Sequence, residues 1–277
     1  MHRIPPTTTT AGRTQALGQH FLIDAQVAAR IIEASAVDRD ERVCEAGTGN
    51  GALTKALCAR ARSVVSFEID RRLYENARKW NIANLELVNA DIFRQQGVEF
   101  DVFVSNLPYS RSRDALQWLA TRKRFRRAIV MVQAEFADKL AAMPGDENYR
   151  AISAISSYCF SIERLFRVGR DAFDPPPRVD SEVARLVPRR RRGSDDDSAT
   201  PLLTASAVKK INWLFSQRNK KASKVAARIG AGGILPAGDG RRIDQLTPEE
   251  IVSLATAEEK KEKEEEDGKK EKEKAGR

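Results

Sequence analysis

The stretch RVCEAGTGNGALTKALCARARSVVSFEID, residues 42–70, decides the fold. It begins with a short apolar run that ends in glycine, and this pattern predicts a strand over 42–47. Leucine and alanine then recur every four positions, which predicts a helix over 51–61. A second apolar run predicts another strand over 63–70. A strand, a glycine-rich turn, a helix and a second strand form the repeating unit of a parallel sheet.

The same alternation continues on both sides of this stretch. Before it, an amphipathic pattern predicts a helix over 24–36, with Asp24 at its N-cap. After it, the pattern predicts a helix over 73–81, strands over 85–91, 100–106 and 127–133, helices over 134–142 and 149–159, and strands over 162–168 and 181–189. The last two strands are expected to form an antiparallel pair at the sheet edge. The sequence therefore predicts an α/β fold with helices on both faces of a mostly parallel sheet.

The composition changes after residue 189, which predicts a domain boundary. The run RRRRGSDDDSATP is charged, then small and polar, as in a linker. Two later apolar-periodic segments, 205–230 and 247–257, predict a small helical domain. The final segment mixes both charges with almost no apolar residue, so we expect it to be disordered. The expected organisation is a flexible N-terminus over 1–14, a first domain over 15–190, a linker over 191–201, a helical domain over 202–257 and a disordered tail over 258–277.

The charge of the chain favours an anionic partner. The 277 residues carry a net charge of +9. Residues 258–277 hold eight basic and nine acidic side chains, so the rest of the chain is one charge more positive than the whole. A basic folded body points to nucleic acid first, although many proteins are basic without binding it.

Several classes of protein are excluded or disfavoured by composition. No apolar run approaches the ~18 residues of a membrane span, and the N-terminus lacks the apolar region of a secretory signal. The three cysteines have the spacing of neither a disulfide framework nor a metal site, which fits a reducing cytosol. With only His2 and His20 in the chain, a Ser-His-Asp triad and zinc catalysis are both unpromising. We therefore predict no metal and a cytoplasmic location.

Glycines and acids follow three consecutive predicted strands. The turn Glu45-Ala-Gly-Thr-Gly-Asn-Gly51 allows backbone N–H groups to approach a ligand. Glu68 ends the second strand, where it can accept hydrogen bonds from ribose hydroxyls. Asp91 ends the third, where it can accept from the exocyclic amine of an adenine. The turn lacks the full G-x-G-x-x-G pattern of a nicotinamide cofactor site. A carboxylate at Glu45 would repel a pyrophosphate and suits a cation, such as the ammonium group of S-adenosylmethionine. Turn glycines with surface acids are the simpler alternative.

The fourth strand runs into Asn106-Leu107-Pro108-Tyr109. Asparagine and proline are ordinary turn residues, but a tyrosine directly after the proline needs another explanation. This segment resembles the N-x-P-Y motif of amino-methyltransferases.

Eight segments in order resemble the ribosomal RNA small-subunit adenine N6-dimethyltransferase family, the KsgA type. They are GQHFL (18–22), EAGTGNGALT (45–54), FEID (67–70), NAD (89–91), NLPY (106–109), MVQAEFADKL (131–140), AFDPPPRVDS (172–181) and LFSQRNKK (214–221). The similarity extends over roughly residues 15–255, and AFDPPPRVDS is far more specific than the glycine turn. It implies a Rossmann-like S-adenosylmethionine-dependent methyltransferase domain with a small all-α C-terminal domain.

The resemblance also implies residue roles. The cofactor would contact His20, Leu22, Gly47, Glu68, Asp91 and Asn106. The target adenine would meet Asn106, the backbone of Leu107 and Pro108, Tyr109, and, on its opposite side, Phe173. The implied reaction is dimethylation of the N6 amines of two adjacent adenosines in small-subunit rRNA during ribosome assembly, by a monomer.

The chemistry explains why these residue types follow the strand. An adenine N6 amine is a poor nucleophile because its lone pair is delocalised into the ring. If the Asn106 side-chain oxygen and a backbone carbonyl in the Leu107–Pro108 segment accept its protons, the nitrogen can pyramidalise, and the positive charge that develops on it is stabilised. A stacked Tyr109 fixes the plane of the base, which has left its own stack to enter the pocket.

Clusters of basic residues are candidates for contacts with RNA phosphates, in a salt-dependent manner. We expect these contacts from Arg111, Arg113, Arg122, Lys123, Arg124, Arg218, Lys220 and Lys221, and the run 189–192 is a further candidate. Any one of these clusters is equally explained as a solvated charged surface.

The chain departs from the family pattern after NLPY, where SRSRDAL replaces an Asn-Ile-Ser type of sequence. This departure affects expected contacts with substrate more than the chemistry. Two alternatives stay open at this point. One is a large-subunit rRNA adenine N6-methyltransferase of the resistance type, which shares GQxFL and N-x-P-Y. The other is a non-catalytic RNA-binding assembly factor, although Glu68, Asp91 and Asn106 argue against it.

Overall fold

The computed structural model describes residues 19–106, 108–122, 124–189 and 203–257. The predicted flexible N-terminus, linker and disordered tail lie outside these ranges, as do Leu107 and Lys123. The chain divides into two compact units: Met1–Leu140 with Cys159–Leu202, and Ala141–Tyr158 with Leu203–Arg277. No helix in the described part of the chain is long and apolar enough to cross a membrane.

The elements follow the predicted alternation of strands and helices, with one further helix at residues 112–119 that was not predicted from the sequence. The strands are β1 (Phe21–Leu22), β2 (Arg42–Ala46), β3 (Ser63–Phe67), β4 (Leu85–Val88), β5 (Val102–Asn106), β6 (Arg127–Gln133), β7 (Phe160–Val168), β8 (Phe173–Asp174) and β9 (Ser181–Pro188). The α-helices are α1 (Ala25–Ser35), α2 (Thr54–Cys58), α3 (Arg71–Ala77), α4 (Ser112–Leu119), α5 (Ala134–Ala141), α6 (Ala151–Cys159), α7 (Ala205–Ser216), α8 (Ala222–Arg228) and α9 (Pro248–Ala255).

Seven strands of the first unit form one sheet in the order β4-β3-β2-β5-β6-β9-β7. The five strands from β4 to β6 are parallel, and β9 runs antiparallel to both β6 and β7. The predicted antiparallel pair at the edge is therefore confirmed. The chain winds from β2 towards β4 and then returns to the other side of β2 with β5. Ligands of open α/β sheets bind at such a reversal, outside the carboxyl ends of the two strands.

The core of the first unit lies along the central strands. Val43, Val102 and Ile129 are almost fully buried on β2, β5 and β6, as expected for parallel strands covered on both faces. Helix α1 buries Ile31 and Ile32 in the same cluster. Its predicted N-cap is confirmed, because the Asp24 carboxylate accepts hydrogen bonds from two backbone N–H groups of the first turn.

A small ribbon that was not predicted from the sequence lies outside the main sheet. Strands β1 and β8 pair antiparallel, with Leu22 opposite Phe173 and Phe21 opposite Asp174. Each strand has only two residues, too few for an alternating pattern to be visible. The ribbon joins the GQHFL segment to the AFDPPPRVDS segment.

The second unit contains α7, α8 and α9, and it also includes residues 141–158 with most of α6. That segment was predicted to belong to the first domain. Tyr149 explains the difference, because its buried ring lies edge-on to Phe215, with 5.4 Å between centroids. Its hydroxyl donates a 3.2 Å hydrogen bond to the Leu246 carbonyl. An apolar helix pattern shows that a face is buried, but not which part of the chain covers it.

Candidate active site

A cleft opens at the carboxyl ends of β2, β3, β4 and β5. Its lining consists of residues 19–22, 45–50, 52–53, 67–69, 90–93, Asn106, Pro108, Tyr109, Arg111 and Phe173. Every described residue that was predicted to contact the cofactor or the target base belongs to this lining, whereas Leu107 lies outside the described residues.

The glycine turn after β2 has a backbone that other residues cannot adopt without strain. Gly47, Gly49 and Gly51 all have positive φ, at +85°, +54° and +82°. A Cβ on Gly51 would lie 2.4 Å from the Trp80 ring, so only glycine fits between the turn and that ring. The Gly47 N–H donates to the Phe67 carbonyl at 2.8 Å, which ties the turn to the end of β3.

Glu45 organises the turn from inside. Its carboxyl oxygen Oε2 accepts hydrogen bonds from the Thr54 hydroxyl at 2.7 Å and the Ser66 hydroxyl at 2.6 Å. Burial raises the pKa of Glu45 to about 8, against the two hydroxyl hydrogen bonds, and the nearby Glu68 adds to the rise. Glu45 therefore holds a proton at neutral pH. It was predicted to be a carboxylate for a ligand cation, and in the structure its Oε2 already serves as an internal acceptor for two hydroxyls.

Glu68 lies across the turn from β2 and is held by backbone donors. Its Oε2 accepts from the Gly49 N–H at 2.9 Å, and its Oε1 accepts from the Asp70 N–H at 2.8 Å. Burial raises the pKa of Glu68, although both N–H groups oppose the rise. Each oxygen keeps one lone pair, so the side chain can still accept two hydrogen bonds, as a pair of ribose hydroxyls requires.

The Asp91 carboxylate forms an ion pair with Arg111, a residue that was predicted to contact RNA. Nη2 of Arg111 lies 3.1 Å from Oδ1 and 2.9 Å from Oδ2 of the Asp91 carboxylate. The Phe93 N–H also donates to Oδ1, at 3.0 Å. Arg111 was predicted to contact RNA phosphates, and the structure places it in the cleft wall, where it forms an ion pair with Asp91. Asp91 consequently has less free acceptor capacity than its predicted role assumed.

Asn106 stands at the reversal of the sheet, at the last position of β5. Its amide nitrogen points to the His20 carbonyl at 3.4 Å, which leaves Oδ1 as the acceptor of this side chain. The carbonyl of Pro108, one of the two predicted backbone acceptors, receives the Arg111 N–H at 2.8 Å. That bond occupies one of its lone pairs and closes the short 3-10 turn Tyr109–Arg111.

The Tyr109 ring is fixed on two sides. Its hydroxyl shares a 2.7 Å hydrogen bond with Ser181 at the start of β9. The His20 ring lies 5.6 Å from it, tilted by 31°. His20 is in turn held by a 2.8 Å hydrogen bond between Nδ1 and the Pro175 carbonyl. The phenol is only half-buried, so a ring of defined orientation faces the cleft.

Phe173 and Leu22 are both more deeply buried than their predicted roles required. Only 3% of Phe173 and 4% of Leu22 is exposed, and both belong to the hydrophobic core of the unit. Only the small exposed fraction of each side chain lines the cleft. Because its ring is buried, Phe173 is not positioned to stack on the second face of a base that stacks on Tyr109.

The whole arrangement matches a known family. Residues 12–252 correspond to ribosomal RNA adenine dimethylase. The chain belongs to this family. An enzyme of the rRNA adenine dimethylase family uses S-adenosylmethionine as its methyl donor.

Two relatives show how far the likeness extends. The chain is 34% identical over 250 residues to the probable ribosomal RNA small subunit methyltransferase A of Pyrococcus abyssi, and the match covers 85% of this chain and 88% of the relative. It is 33% identical over 252 residues to the probable ribosomal RNA small subunit methyltransferase A of Methanosarcina acetivorans, covering 86% and 90%.

Two solved structures have the same Rossmann-like fold. A dimethyladenosine transferase from Plasmodium falciparum superposes with a TM-score of 0.68 at 24% identity, over 85% of this chain and 96% of the other. The 23S rRNA methyltransferase ErmE superposes with a TM-score of 0.57 at 28% identity, over 85% and 98%.

The cleft of this rRNA adenine dimethylase fits the methyl donor. S-Adenosylmethionine presents donors: an ammonium group, ribose hydroxyls and an adenine amine. The cleft presents acceptors in Glu68 and Asp91, and among the described residues the buried Oε1 of Gln19 has no hydrogen-bond partner. The glycine turn supplies the close backbone approach. Among the described residues, no group of three or more His, Cys, Asp and Glu side chains could hold a metal ion.

The remaining residues predicted for RNA differ in their environments. Arg113 is exposed just after the Tyr109–Arg111 turn, and Arg124 is exposed just before β6, at the amino ends of the strands and away from the cleft. The Arg122 guanidinium lies 4.7 Å above the Trp118 ring. In the second unit, Arg218 pairs with Asp244 at 3.4 Å, and Lys220 and Lys221 are exposed. Lys123 and residues 190–192 lie outside the described residues.

Three residues in or behind the cleft were not predicted from the sequence. Ser181 was part of the quoted AFDPPPRVDS segment, but nothing in the sequence pairs it with Tyr109. Phe21 belongs to GQHFL, and its ring lies against Gly49, within 3.6 Å of where a Cβ would be. Trp80 falls near the end of the predicted helix 73–81 and fills the space behind Gly51.

Proposed function

We propose that the enzyme transfers methyl groups from S-adenosylmethionine to the N6 amines of two adjacent adenosines in small-subunit rRNA during ribosome assembly. The observation that carries the proposal is the position of Asn106. Its Oδ1 acceptor stands at the reversal of the sheet, beside the fixed Tyr109 ring and in the same cleft as Glu68 and Asp91.

The role of Asn106 follows from the chemistry of the amine. When bound, the cofactor supplies an electrophilic methyl group on a sulfonium. Oδ1 of Asn106 accepts one N6 proton of the target adenine, and a carbonyl of the Leu107–Pro108 segment accepts the other. The nitrogen lone pair is then released from the ring, and the two acceptors stabilise the positive charge that grows on it. The proton leaves only after transfer, when the nitrogen is acidic, so no general base is required.

Tyr109 positions the base. A base stacked on the half-buried ring has a fixed plane, and the hydrogen bond to Ser181 prevents the ring from turning. Holding both reactants in line contributes more to the rate than any single contact, since it removes rotational freedom before the step. The half-buried Tyr109 ring supports stacking of the target base, and Phe173 closes the cleft from the core side.

The small-subunit substrate is supported by the names of the relatives, whose lengths are covered almost completely. The AFDPPPRVDS segment and the helical second unit agree with this choice. For RNA contacts outside the cleft we propose Arg113, Arg124, Lys220 and Lys221, because they are exposed. We further propose a cytoplasmic monomer that acts without a metal, for which sizing chromatography and activity after chelation are the tests.

A large-subunit rRNA substrate is the second candidate. It is favoured by the fold and the 28% identity shared with ErmE, a 23S rRNA methyltransferase. That likeness is weaker in identity than the likeness to the small-subunit relatives, so we place it second.

The test is methyl transfer from labelled S-adenosylmethionine to unmethylated small and large ribosomal subunits, with the product nucleoside identified by mass. N6,N6-Dimethyladenosine in small-subunit RNA alone is the expected result. Label only in large-subunit RNA would select the second candidate, and no label in either would reject both.

The matched variant is Asn106→Ala, which should lower kcat by at least about 100-fold, as when an oxyanion-hole donor is removed. Its melting temperature and cofactor affinity serve as controls for folding and binding. Full activity in this variant would reject the proposed mechanism while leaving the substrate assignment intact.

A further inference from the structure

Arg111 connects two parts of the cleft that the proposed function treats separately. Its guanidinium contacts both carboxylate oxygens of Asp91, at 3.1 and 2.9 Å. Its Nε also donates to Asp114 at 2.9 Å. The guanidinium lies 5.0 Å above the Phe93 ring, another residue of the cleft wall. Four contacts from one side chain, of which only 29% is exposed, define its position closely.

The backbone of Arg111 belongs to the segment that carries Tyr109. Both residues lie in the 3-10 turn Tyr109–Arg111, which the Arg111 N–H closes on the Pro108 carbonyl. The turn is therefore fastened at two points. Tyr109 holds one end to Ser181 on β9, and Arg111 holds the other end to Asp91 after β4.

Asp91 is nearly saturated by these contacts. Oδ1 already accepts from the Phe93 N–H and from Arg111, whereas among the described residues Oδ2 accepts only from Arg111 at hydrogen-bond distance. Arg94 lies 3.6 Å from Oδ2, beyond hydrogen-bond distance, and its side chain is 86% exposed. One acceptor position on Oδ2 is thus left for a ligand amine. A ligand that uses this position contacts the same carboxylate that holds Arg111, and through it the Tyr109–Arg111 turn.

We infer that Arg111 is a positioning residue that couples the cofactor side of the cleft to the target-base side. The inference rests on the proposed function, in which Asp91 accepts from the cofactor adenine and Tyr109 stacks on the target base. A cofactor amine on Oδ2 fixes the carboxylate, the carboxylate fixes Arg111, and Arg111 fixes the turn. The target base then meets an ordered turn, and by reciprocity a bound RNA strengthens cofactor binding.

The first experiment measures this coupling directly. Labelled S-adenosylhomocysteine, which cannot transfer a methyl group, is bound to the enzyme with and without unmethylated small subunits. The wild-type enzyme should bind it about 5- to 10-fold more tightly in the presence of subunits, which is the lower end of the usual range for such a coupling. In Arg111→Ala the ratio should fall to about 1. An unchanged ratio in Arg111→Ala, or a ratio of 1 in the wild type, overturns the inference.

The second experiment separates coupling from simple loss of charge. Arg94→Ala removes a cation next to the same carboxylate but outside the Tyr109 turn, so it should keep the wild-type ratio. Arg111→Lys keeps the charge but cannot hold Asp91 and Asp114 together, so it should give an intermediate ratio, and it replaces Arg111→Ala if that variant fails to fold. A ratio that falls equally in Arg94→Ala would show that charge alone is responsible and would overturn the inference.

A third experiment extends the test to turnover. Asp91→Asn should raise the KM for small subunits as Arg111→Ala does, and the double variant should be no worse than the more affected single one. An Asp91→Asn variant that weakens cofactor binding alone would overturn the coupling. A wild-type enzyme that methylates neither subunit rejects the proposed function and this inference with it, whereas an active enzyme with an unchanged ratio rejects the inference alone.

Discussion

The Tyr109 hydroxyl lies 2.7 Å from the Ser181 hydroxyl, across 72 residues of sequence. The first residue ends the NLPY motif after β5, and the second begins β9, which pairs with β6 and β7. The antiparallel edge of the sheet thus supports an aromatic ring at its parallel centre. This relationship gives β9 a part in substrate positioning, in addition to completing the sheet.

Removing this hydrogen bond should affect the RNA substrate and spare the cofactor. A hydrogen bond is worth about 0.5–1.5 kcal/mol, so Ser181→Ala should lower kcat/KM for small subunits by roughly 2- to 10-fold. Tyr109→Phe should have a similar effect, and the double variant should be no worse than either, since all three lack the same bond. Steady-state kinetics measure the effect on the RNA substrate, and calorimetry with S-adenosylhomocysteine measures the affinity for the cofactor. Additive losses in the double variant would contradict the prediction.

The glycines offer a comparison between strain alone and strain with a steric clash. Gly51 and Gly97 have similar positive φ values, +82° and +72°. A Cβ added to Gly51 would meet the Trp80 ring at 2.4 Å, whereas one added to Gly97 would have nothing within 4 Å. Gly97→Ala should cost about 1–2 kcal/mol of unfolding free energy from backbone strain. Gly51→Ala should cost about 1–3 kcal/mol more from overpacking, and should also weaken cofactor binding. Urea denaturation measures both unfolding free energies. Equal losses in the two variants would show that the Trp80 ring moves away freely.

Glu45 should make the protein less stable as the pH rises. Burial raises the pKa of Glu45 to about 8, so between the ordinary value of 4.5 and about 8 the folded protein keeps a proton that the unfolded chain has lost. The free energy of unfolding therefore falls across this interval. Glu45→Gln keeps an acceptor for the Thr54 and Ser66 hydroxyls and removes the ionisation. Its melting temperature should match the wild type at pH 5 and exceed it by several degrees at pH 8.5. The exposed Glu86→Gln is the control, and a difference independent of pH would refute the prediction.

Glu41 should have the opposite dependence. Burial alone would raise the pKa of Glu41, but hydrogen bonds from Arg127 and from the Asp38 N–H outweigh it and lower the pKa below 4.5. Its stabilising contribution is therefore complete above that value and is lost as the pH falls through the lowered pKa. Glu41→Gln breaks a buried pair at 2.7 Å and should cost about 3–5 kcal/mol near neutral pH. The loss should shrink in acid, with cofactor affinity unchanged. A loss that stays constant down to pH 3 would argue against this role for Glu41.

The order of strands and helices could be predicted because each element repeats its own local pattern. Strands such as 42–47 and 127–133 are continuous apolar runs, as buried parallel strands must be, and the acids and the asparagine follow them directly. Since the carboxyl ends of parallel strands share one edge, Glu68, Asp91 and Asn106 had to meet. A local sequence pattern does not show which distant residue a side chain contacts after tertiary packing.

Helix α4 was missed although it is a local element, whereas the other missed features depend on tertiary packing. The ribbon of β1 and β8 joins two residues to two others far along the chain. Arg111 resembled a phosphate-binding cation in sequence, and only the approach of the β4 end made it the partner of Asp91. Glu45 changed from carboxylate to neutral acceptor because burial, which a turn sequence does not reveal, outweighs its two hydroxyl hydrogen bonds.

Residues 141–158 belong with helices that follow the predicted linker, and this has a consequence for synthesis on the ribosome. Tyr149 leaves the exit tunnel long before Phe215 and Leu246, the residues that bury it. Tyr149, whose ring is fully buried in the folded protein, therefore lacks these two partners while β7 and β9 are being synthesised. The nascent chain cannot form the contacts of Tyr149 until the segment after the predicted linker has been synthesised, so these contacts of the second unit form after all strands of the main sheet have been translated.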